Sequence, residues 1–317
     1  MASFIAAGAE WRGVPQSRVH QDVDVLVSTE LGLSEELGLD GAYISSDNWV
    51  IHAALGGKVE FVHDDEPRSR QRVLDDWDKL GDLEVPVPER AERMSFMLTA
   101  ARQAVARNRS GLFLEANIDS GPFQMAGILR GAEQLMLDLV TEPTKVHSLL
   151  GFCTEVAMTY GAAMARTGVD AVQFGDSTAS LVSRVMYEEF VEPYQVPVLN
   201  AIREAGALPF LHVCGNSNHL SERLGASGAA CVEIDGPADL ARTLAALSDR
   251  AAVRGNIPTH LLRDGTPGEV VRCARQCLRT AHGSRFILSP GCGVPRGTPP
   301  GNIRALVSAA SGGQFCT

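Results

Sequence analysis

The chain has 317 residues, of which 45% are hydrophobic and 21% are charged. This apolar content is enough for a large buried core, so global disorder is excluded. Lys and Arg number 28 against 38 Asp and Glu, which gives a net charge of −10. Such an acidic chain is a poor candidate for non-specific nucleic-acid binding, because that binding needs cations to replace phosphate counterions.

The sequence also argues against a membrane partner and against secretion. We find no apolar run of the roughly 18 residues that a spanning helix needs, and the first residues (MASFIAAGAEWRG) lack the basic start of a secretory signal. Seven cysteines are an odd number for a set of disulfides, and they favour reduced thiols. We therefore expect a cytoplasmic protein whose cysteines are available as ligands.

The predicted elements alternate along most of the chain. Residues 1–40 are expected to form an N-terminal extension that packs on the main domain, and Gly41–Ile44 and 92–106 read as a first strand and a helix. Further strands are predicted at 112–118, 170–175, 208–214, 229–234, 251–255 and 285–288. Helices are predicted at 123–140, 143–167, 184–205, 218–224, 240–248, 267–281 and 299–310, with apolar residues at helical spacing.

Repeated strand–helix units indicate parallel strands joined by helical crossovers. Eight such units would close into a barrel, so we predict that residues 41–317 form a single-domain α/β fold, a (β/α)8 TIM barrel. No GxGxxG motif follows the first strand, so nothing favours a dinucleotide-binding sheet. In a TIM barrel the catalytic residues lie where strands end and the following loops begin.

Three of the predicted strands end in residues that bind metals. His212 and Cys214 are two apart and therefore point to the same side of one strand. Cys292 lies on a Gly-flanked turn after the last strand, and Asp235 follows another strand end. One His and two Cys are a known ligand set for a catalytic zinc with an open fourth position, which Asp235 can fill at rest. The alternative is that these side chains are ordinary core residues.

The remaining cysteines give a weaker signal. Cys153, Cys231, Cys273 and Cys277 lie in apolar or helical patterns that favour packing roles. Cys273 and Cys277 are four apart on one helix face, but a third metal ligand is not evident near them. Cys316 is close to the end of the chain and reads as a free thiol.

Several motifs resemble those of a known family. They are HVCGN at 212–216, GNIPTHLLRDGTPGEV at 255–270, ILSPGCGVPRGTPPGNIRAL at 287–306, GDSTASLVSRVMYEEFVEPY at 175–194 and GPFQMAGILRG at 121–131. Together they resemble the uroporphyrinogen decarboxylase superfamily, in particular its methylcobamide:thiol (coenzyme M) methyltransferase branch. The resemblance implies a (β/α)8 barrel with zinc ligands at His212, Cys214 and Cys292, and a resting acidic ligand at Asp235 or Glu233.

The sequence departs from the decarboxylases at its N-terminus. This chain still resembles those enzymes at Asp47, because Ser45-Ser46-Asp47-Asn48 is similar to the segment that carries their active-site Asp. Their arginine-rich N-terminal segment, which grips substrate carboxylates, has no counterpart in the first 40 residues. We therefore expect Asp47 to be a pocket-lining residue without an arginine clamp beside it.

The resemblance implies a zinc-dependent enzyme that moves a methyl group from a methylated corrinoid to a small thiol, activated as a zinc thiolate. No Asp-x-His-x-x-Gly pattern of a cobalamin-binding module is present, so the corrinoid is expected on a separate protein. Gln173, Asp176 and Asn256 lie at strand ends, where they either orient the substrate or corrinoid or cap the following helices. Arg254 and Arg296 are expected to flank the barrel mouth, where they either hold an anionic tail of the substrate, such as a sulfonate or carboxylate, or are solvated.

Other functions remain open at this stage. A cofactor-free decarboxylase would need no metal and would line its pocket with arginines. A zinc-dependent enzyme with a methylfolate donor would use a similar ligand set. A non-catalytic metal or corrinoid carrier would bind its cofactor without turnover. No nucleic-acid partner is expected, and both a monomer and a homodimer are compatible with the sequence.

Overall fold

The computed structural model describes residues 3–45 and 47–312. Its sheet has seven strands, which pair in chain order and are parallel throughout. The strands are β1 Gly41–Ile44, β2 Phe113–Ser120, β3 Ala171–Gly175, β4 Leu208–Val213, β5 Cys231–Ile234, β6 Ala252–Ile257 and β7 Phe286–Pro290.

Helices connect successive strands and cover the outside of the sheet. They are α1 Ile5–Arg12, α2 Gln16–Val19, α3 Val23–Leu37, α4 Val50–Ala54, α5 Glu92–Arg107, α6 Pro122–Arg130, α7 Ala132–Thr141, α8 Pro143–Ala165, α9 Arg184–Phe190, α10 Glu192–Glu204, α11 Ser221–Ala226, α12 Leu240–Leu247, α13 Thr259–Asp264, α14 Pro267–Thr280 and α15 Pro300–Ala310. Among the described residues, none of these helices combines the length and apolar character needed to cross a membrane.

The parallel strands in chain order, with helical crossovers, confirm the predicted barrel class. The described ranges contain seven strands rather than the eight that we expected. Residues of β1 and β7 line an apolar cavity of about 450 Å³, together with Phe4, Leu306 and Val307. Within those ranges no ladder joins β7 to β1, so the sheet is curled and does not close by strand pairing.

The N-terminal helices are fastened to the loop that follows β7. The Trp11 indole donates to the Thr298 carbonyl at 2.8 Å, and the Val294 amide donates to the Ser3 carbonyl at 2.9 Å. The buried Glu30 carboxylate on α3 accepts from the Phe4 amide at 3.0 Å. These contacts hold the start of the chain beside one rim of the barrel.

Two helices predicted as continuous are each divided in the structure. The predicted helix 123–140 breaks at Gly131, whose φ of +94° lies outside the helical range and favours glycine. The predicted helix 184–205 breaks at Val191, and Pro193 then occupies the first turn of α10, where a missing amide proton costs no hydrogen bond. Helical periodicity continues across both breaks, so the sequence pattern did not reveal them.

Alternate residues of the strands form layers inside the barrel. Phe113 and Phe210 stack with ring centroids 6.2 Å apart in the lower layer. Arg254 lies above them with only 1% of its surface exposed. Its Nε is 2.9 Å from Glu233 Oε1, and its guanidinium also pairs with both oxygens of the fully buried Glu115. Arg254 is therefore an interior residue, and our expectation that it flanks the barrel mouth was wrong.

Candidate functional site

A cavity of about 810 Å³ opens at the carboxyl ends of the strands. Its walls include residues from the ends of β1 to β5 and from the loop after β7, and the segment 66–72 covers one side. The active site of a (β/α) barrel occupies this end, because the loops that follow the strands meet there. This cavity is the candidate functional site.

The predicted metal-binding side chains converge at this end of the barrel. His212, Cys214 and Cys292 each offer one ligand atom, and these three atoms lie within 4.8 Å of one another. Gly291 makes this approach of two loops feasible. A Cβ at that position would lie 2.8 Å from the Gly236 amide nitrogen and 2.9 Å from Asp235 Cα, which real Cβ atoms do not tolerate.

His212 is oriented by a buried carboxylate. Its Nδ1 lies 2.9 Å from Glu233 Oε2, which leaves Nε2 as the nitrogen available to a metal. Burial alone would raise the pKa of Glu233, but Arg254 and His212 outweigh it and lower that pKa to about 2. Burial likewise lowers the pKa of His212, and the opposing charges of Glu233 and Cys292 raise it to about 10.

Cys214 and Cys292 interact with each other, and their pKa values shift in opposite directions. Hydrogen bonds from the Cys214 thiol and from His212 lower the pKa of Cys292 to about 5. The same hydrogen bond, with burial, raises the pKa of Cys214, whose Sγ lies 3.3 Å from Asp235 Oδ2. Asp235 is fixed through the same Oδ2, which accepts from the Gly215 amide at 3.1 Å.

This donor set fits a zinc ion. Two thiol sulfurs and one imidazole nitrogen are soft and borderline ligands of the kind that zinc prefers. The carboxylate on His212 Nδ1 is the outer-shell partner that metal-binding histidines commonly have. Asp235 contacts Cys214 but is not part of the group of three whose ligand atoms lie within 4.8 Å of one another. Glu233 is engaged with His212, Arg254 and Gln173.

Of the three residues expected to orient the substrate or corrinoid, only Gln173 lines the cavity. Its Nε2 donates to Glu233 Oε2 at 2.9 Å, and its Oε1 accepts from the Tyr43 hydroxyl. Asp176 is fully buried and accepts from the Gln124 amide and the Gln195 side chain. Asn256 donates to the Ala238 carbonyl at 2.8 Å. The side chains of Asp176 and Asn256 thus form hydrogen bonds with other residues of the protein and do not line the cavity.

Asp47 lines the cavity and is 5% exposed. We expected no arginine clamp from the first 40 residues beside it, and its Oδ2 pairs instead with Arg93 on α5. His20 Nδ1 lies 3.2 Å from the same oxygen. Burial raises the pKa of Asp47, but hydrogen bonding to His20 and the charge of Arg93 together bring it below its usual value. Asp47 is therefore held as a carboxylate.

The cations at the cavity differ from those that the sequence suggested. Arg296 is about half exposed and pairs with Asp64 and Glu10 on the rim. Arg70 and Arg72 line the cavity instead, and over residues 3–45 and 47–312 neither has an ion-pair partner. The sequence analysis overlooked both, because they lie in an irregular segment that we did not connect with the mouth.

Asp119 is a further cavity residue that the sequence analysis missed. It follows the predicted strand 112–118 directly, so the rule that placed Asp235 would also have found it. It is 4% exposed and has a φ of +72°. Burial raises its pKa to about 7.

The other described cysteines lie away from the three donors. Cys153 and Cys231 are buried, and Cys273 and Cys277 are neighbours on α14, where Cys277 also contacts Asn256 Oδ1 at 3.7 Å. All six described cysteines are free thiols. Cys316 falls outside the described residues.

Fold and site together define an α/β-barrel protein with a centre of two thiols and one imidazole at the carboxyl ends of its strands. The family model described as uroporphyrinogen decarboxylase (URO-D) matches residues 5–312. The chain therefore belongs to the uroporphyrinogen decarboxylase family, as its motifs indicated.

The curated relatives include methyltransferases and uroporphyrinogen decarboxylases. A methylcobamide:CoM methyltransferase of Methanosarcina acetivorans is 30% identical over 62% of this chain and 57% of its own length. A methylated-thiol–coenzyme M methyltransferase of Methanosarcina mazei is 25% identical over 92% of this chain and 78% of its own. A uroporphyrinogen decarboxylase of Prochlorococcus marinus is 33% identical over 53% of this chain and 48% of its own. The match thus spans little more than half of the first relative's length.

Solved structures support the fold. A methyltransferase from Methanosarcina mazei superposes with a TM-score of 0.88 at 20% identity, over 98% of this chain and 93% of its own. A B12-independent methionine synthase from Shewanella gives a TM-score of 0.58 at 12% identity, over 91% of this chain and 86% of its own. At these identities the similarity concerns the barrel architecture alone.

Proposed function

We propose that this protein is a zinc-dependent methyltransferase that moves a methyl group from a methylated corrinoid to a small thiol. The observation that supports it most directly is the convergence of His212, Cys214 and Cys292 within 4.8 Å. The relatives named as methylcobamide:CoM and methylated-thiol–coenzyme M methyltransferases favour the same reaction. The zinc ion, the corrinoid methyl donor and the thiol acceptor are all part of this proposal.

In this proposal His212, Cys214 and Cys292 hold the zinc ion, and Asp235 is its fourth ligand at rest. When bound, the zinc ion supplies Lewis acidity that keeps the acceptor sulfur deprotonated near neutral pH. Glu233 fixes the ring of His212 through Nδ1, and Arg254 and Gln173 hold Glu233 in turn. Residues in the barrel interior thus position His212, the proposed zinc ligand that faces the cavity.

The methyl donor enters from outside in this proposal. The sequence contains no recognisable cobalamin-binding motif, and the cavity opens at the mouth of the barrel. A separate corrinoid protein that docks at this mouth would present its methyl group to the thiol. The chain's own residues then bind and orient the acceptor, while attack of the sulfur leaves the corrinoid cobalt as Co(I).

The proposal is tested by anaerobic incubation of the zinc-loaded protein with methylcobalamin and a panel of thiols that includes coenzyme M. We expect Co(I) to appear in the absorption spectrum together with a stoichiometric amount of methyl thioether. Protein from which zinc has been removed by a chelator should lose this activity and regain it on addition of zinc. No methyl thioether with any thiol, in protein that contains one zinc per chain, would contradict the proposal.

The cavity favours a thiol with an anionic tail. The segment before α5 is held by a single antiparallel backbone bridge between Glu60 and Arg68 and by the Ser69 Oγ–His52 Nε2 contact of 2.8 Å. It directs Arg70 and Arg72 toward the cavity without an ion-pair partner among the described residues. We propose that these guanidinium groups hold a sulfonate or carboxylate of the acceptor, the role that we first assigned to Arg254 and Arg296.

The double variant Arg70→Met/Arg72→Met should bind an anionic thiol more weakly. Charge-assisted hydrogen bonds contribute about 1.5–3 kcal/mol, so we expect a KM for coenzyme M that is roughly 10–100 times higher. The KM for the neutral 2-mercaptoethanol should change less than about threefold, since it lacks the tail. Arg68→Met is the matched control, because Arg68 pairs with Asp65. Equal increases for both thiols would contradict this role.

A second candidate function is the cofactor-free decarboxylation of an organic acid. The observation that favours it is the set of charges around Asp47, with Arg93 paired to it and Arg70 and Arg72 on the same cavity. A decarboxylase has no need of the three convergent metal donors. Elemental analysis of protein purified without chelators discriminates the two functions, since only the methyltransferase should contain zinc.

A further inference from the structure

Among the described residues, one carboxylate of the cavity has no cationic partner. Asp47 is paired with Arg93, and Glu233 with Arg254 and His212. Glu66 lies near His20 at 3.7 Å and accepts from Gln16. In the described part of the chain, Asp119 alone of the cavity's carboxylates has no cation within ion-pair distance.

The backbone around Asp119 is built in an unusual way. The register between β2 and β3 shifts between Asn117 and Ser120, which marks a β-bulge, and bulges often redirect side chains beside active sites. Asp119 sits in the bulge at a φ of +72°, a left-handed conformation that is costly for a non-glycine residue and concentrates at functional sites. Its amide donates to Asn117 Oδ1 at 2.6 Å.

The side chain of Asp119 is held rigidly below the cavity surface. Oδ2 accepts from the Ile51 amide at 3.0 Å, and Oδ1 accepts from Ser120 Oγ at 2.8 Å. The backbone carbonyl of Asp119 and the His212 ring both lie close to Gly175, since a Cβ at that position would be 3.9 Å from the first and 3.8 Å from the second. Asp119 and His212 line the same cavity.

We propose that Asp119 is the base that takes up the proton of the acceptor thiol. The inference rests on the proposed methyltransferase function. In this step the S–H bond breaks and the proton goes to the Asp119 carboxylate. The sulfur lone pair then forms the new S–CH3 bond, and the electron pair of the broken Co–C bond stays on cobalt, which becomes Co(I). Asp119 returns the proton to solvent when the methyl thioether leaves.

The charged and titratable groups around Asp119 are consistent with this role. Asp47 faces it from the loop after β1, Arg93 from α5 and the Tyr160 ring from α8. Burial is the main cause that raises the pKa of Asp119 to about 7, and the charge of Asp47 adds to it. A base with this pKa accepts and releases a proton near neutral pH.

The test counts protons rather than turnovers. Coenzyme M is titrated into the zinc-loaded protein by calorimetry, in buffers of different ionisation enthalpy, from pH 6 to pH 8. Below pH 7 Asp119 is already protonated, so about one proton should appear in the buffer for each thiol bound. Above pH 7 Asp119 is ionised in the free protein, and the negative charge of the bound thiolate should raise its pKa so that it keeps that proton in the complex. Release in the wild-type protein should thus fall close to zero by pH 8.

Asp119→Asn should abolish this decrease. Asn tolerates the left-handed conformation and keeps an acceptor for the Ile51 amide, so the bulge should persist. With a thiol pKa of about 8.5, the variant should still release about 0.75 proton at pH 8. The matched control is Glu30→Gln. Glu30 is also buried with a pKa raised to about 7 by burial, but it does not line the cavity, so its variant should follow the wild-type curve.

Two results separate this inference from the function on which it rests. Proton release that falls only to about 0.75 per thiol bound by pH 8 in the wild-type protein, as the thiol pKa alone requires, would overturn the role of Asp119, even if the Asn variant failed to fold. Equal release curves for wild type and Asp119→Asn would do the same. The proposed function itself would fail in a different way, as the absence of methyl thioether in the wild-type protein.

Discussion

Cys292→Ala should abolish both zinc binding and methyl transfer while the barrel remains folded. The variant removes one of the three converging donors and leaves His212 and Cys214 with too few protein ligands for a tight site. We expect less than about 0.1 zinc per chain after dialysis and a loss of at least about a thousandfold in methyl thioether formation. Metal analysis by mass spectrometry and the methylcobalamin assay measure these two effects.

His212→Ala and Cys214→Ala should give the same result, because each removes a donor of the same group. Cys273→Ala is the matched control, since Cys273 is a half-buried thiol on α14 outside this cluster. Far-ultraviolet circular dichroism should match that of the wild-type protein in all four variants. One zinc per chain in folded Cys292→Ala would mean that the metal does not use this sulfur, and the site as described would be wrong.

Asp235→Ala is expected to differ from these variants. Asp235 contacts Cys214 at 3.3 Å, but three soft donors remain when its carboxylate is removed. The variant should therefore retain most of its zinc. This contrast distinguishes the three principal ligands from a carboxylate that occupies the substrate position at rest.

The sequence was sufficient to find the three candidate metal donors because they follow a local rule. His212 lies in β4, and Cys214 directly follows the last residue of that strand. Cys292 lies two positions beyond Pro290, the last residue of β7. Parallel strands in a barrel bring such ends to one mouth, so the convergence followed from the predicted strands alone. Asp119 obeys the same rule at the end of the predicted strand 112–118.

The cations were harder to place. Arg254 stands in an apolar strand, where the sequence does not distinguish a buried ion pair from a residue at the rim. Its environment depends on Glu115, which lies 139 positions away along the chain, and such a distant pairing leaves no local pattern. Arg70 and Arg72 lie in a segment without regular structure, so neither helical nor strand periodicity could indicate the direction of their side chains.

The breaks in the helices have a similar origin. Apolar periodicity reports which face of a segment is buried, and that face stays buried on both sides of Gly131. The bend itself depends on a backbone conformation at one glycine. The number of strands was overestimated for a related reason. Residues of the N-terminal segment and α15 line the apolar space between β7 and β1, where we expected an eighth strand. The repeating strand–helix pattern did not predict this difference.

Arg254→Met should destabilise the fold and weaken the site at the same time. The arginine is the only cation that the described structure places against Glu115, and all of these side chains are deeply buried. Removing one partner of a buried ion pair leaves an uncompensated charge and costs about 3–5 kcal/mol. Denaturant unfolding at pH 7.5 should show this loss. Glu233 would also lose an anchor, so zinc affinity should fall about 10–100-fold.

The double variant Glu115→Gln/Arg254→Met separates these two effects. Gln removes the unpaired carboxylate, so the free energy of unfolding should recover by at least about half of the loss. Zinc affinity should remain low, because Glu233 still lacks the Arg254 contact that holds it against His212. Full recovery of zinc affinity in the double variant would show that Arg254 acts on stability alone. Persistent loss would connect the interior ion pairs of the barrel to the orientation of the imidazole at its mouth.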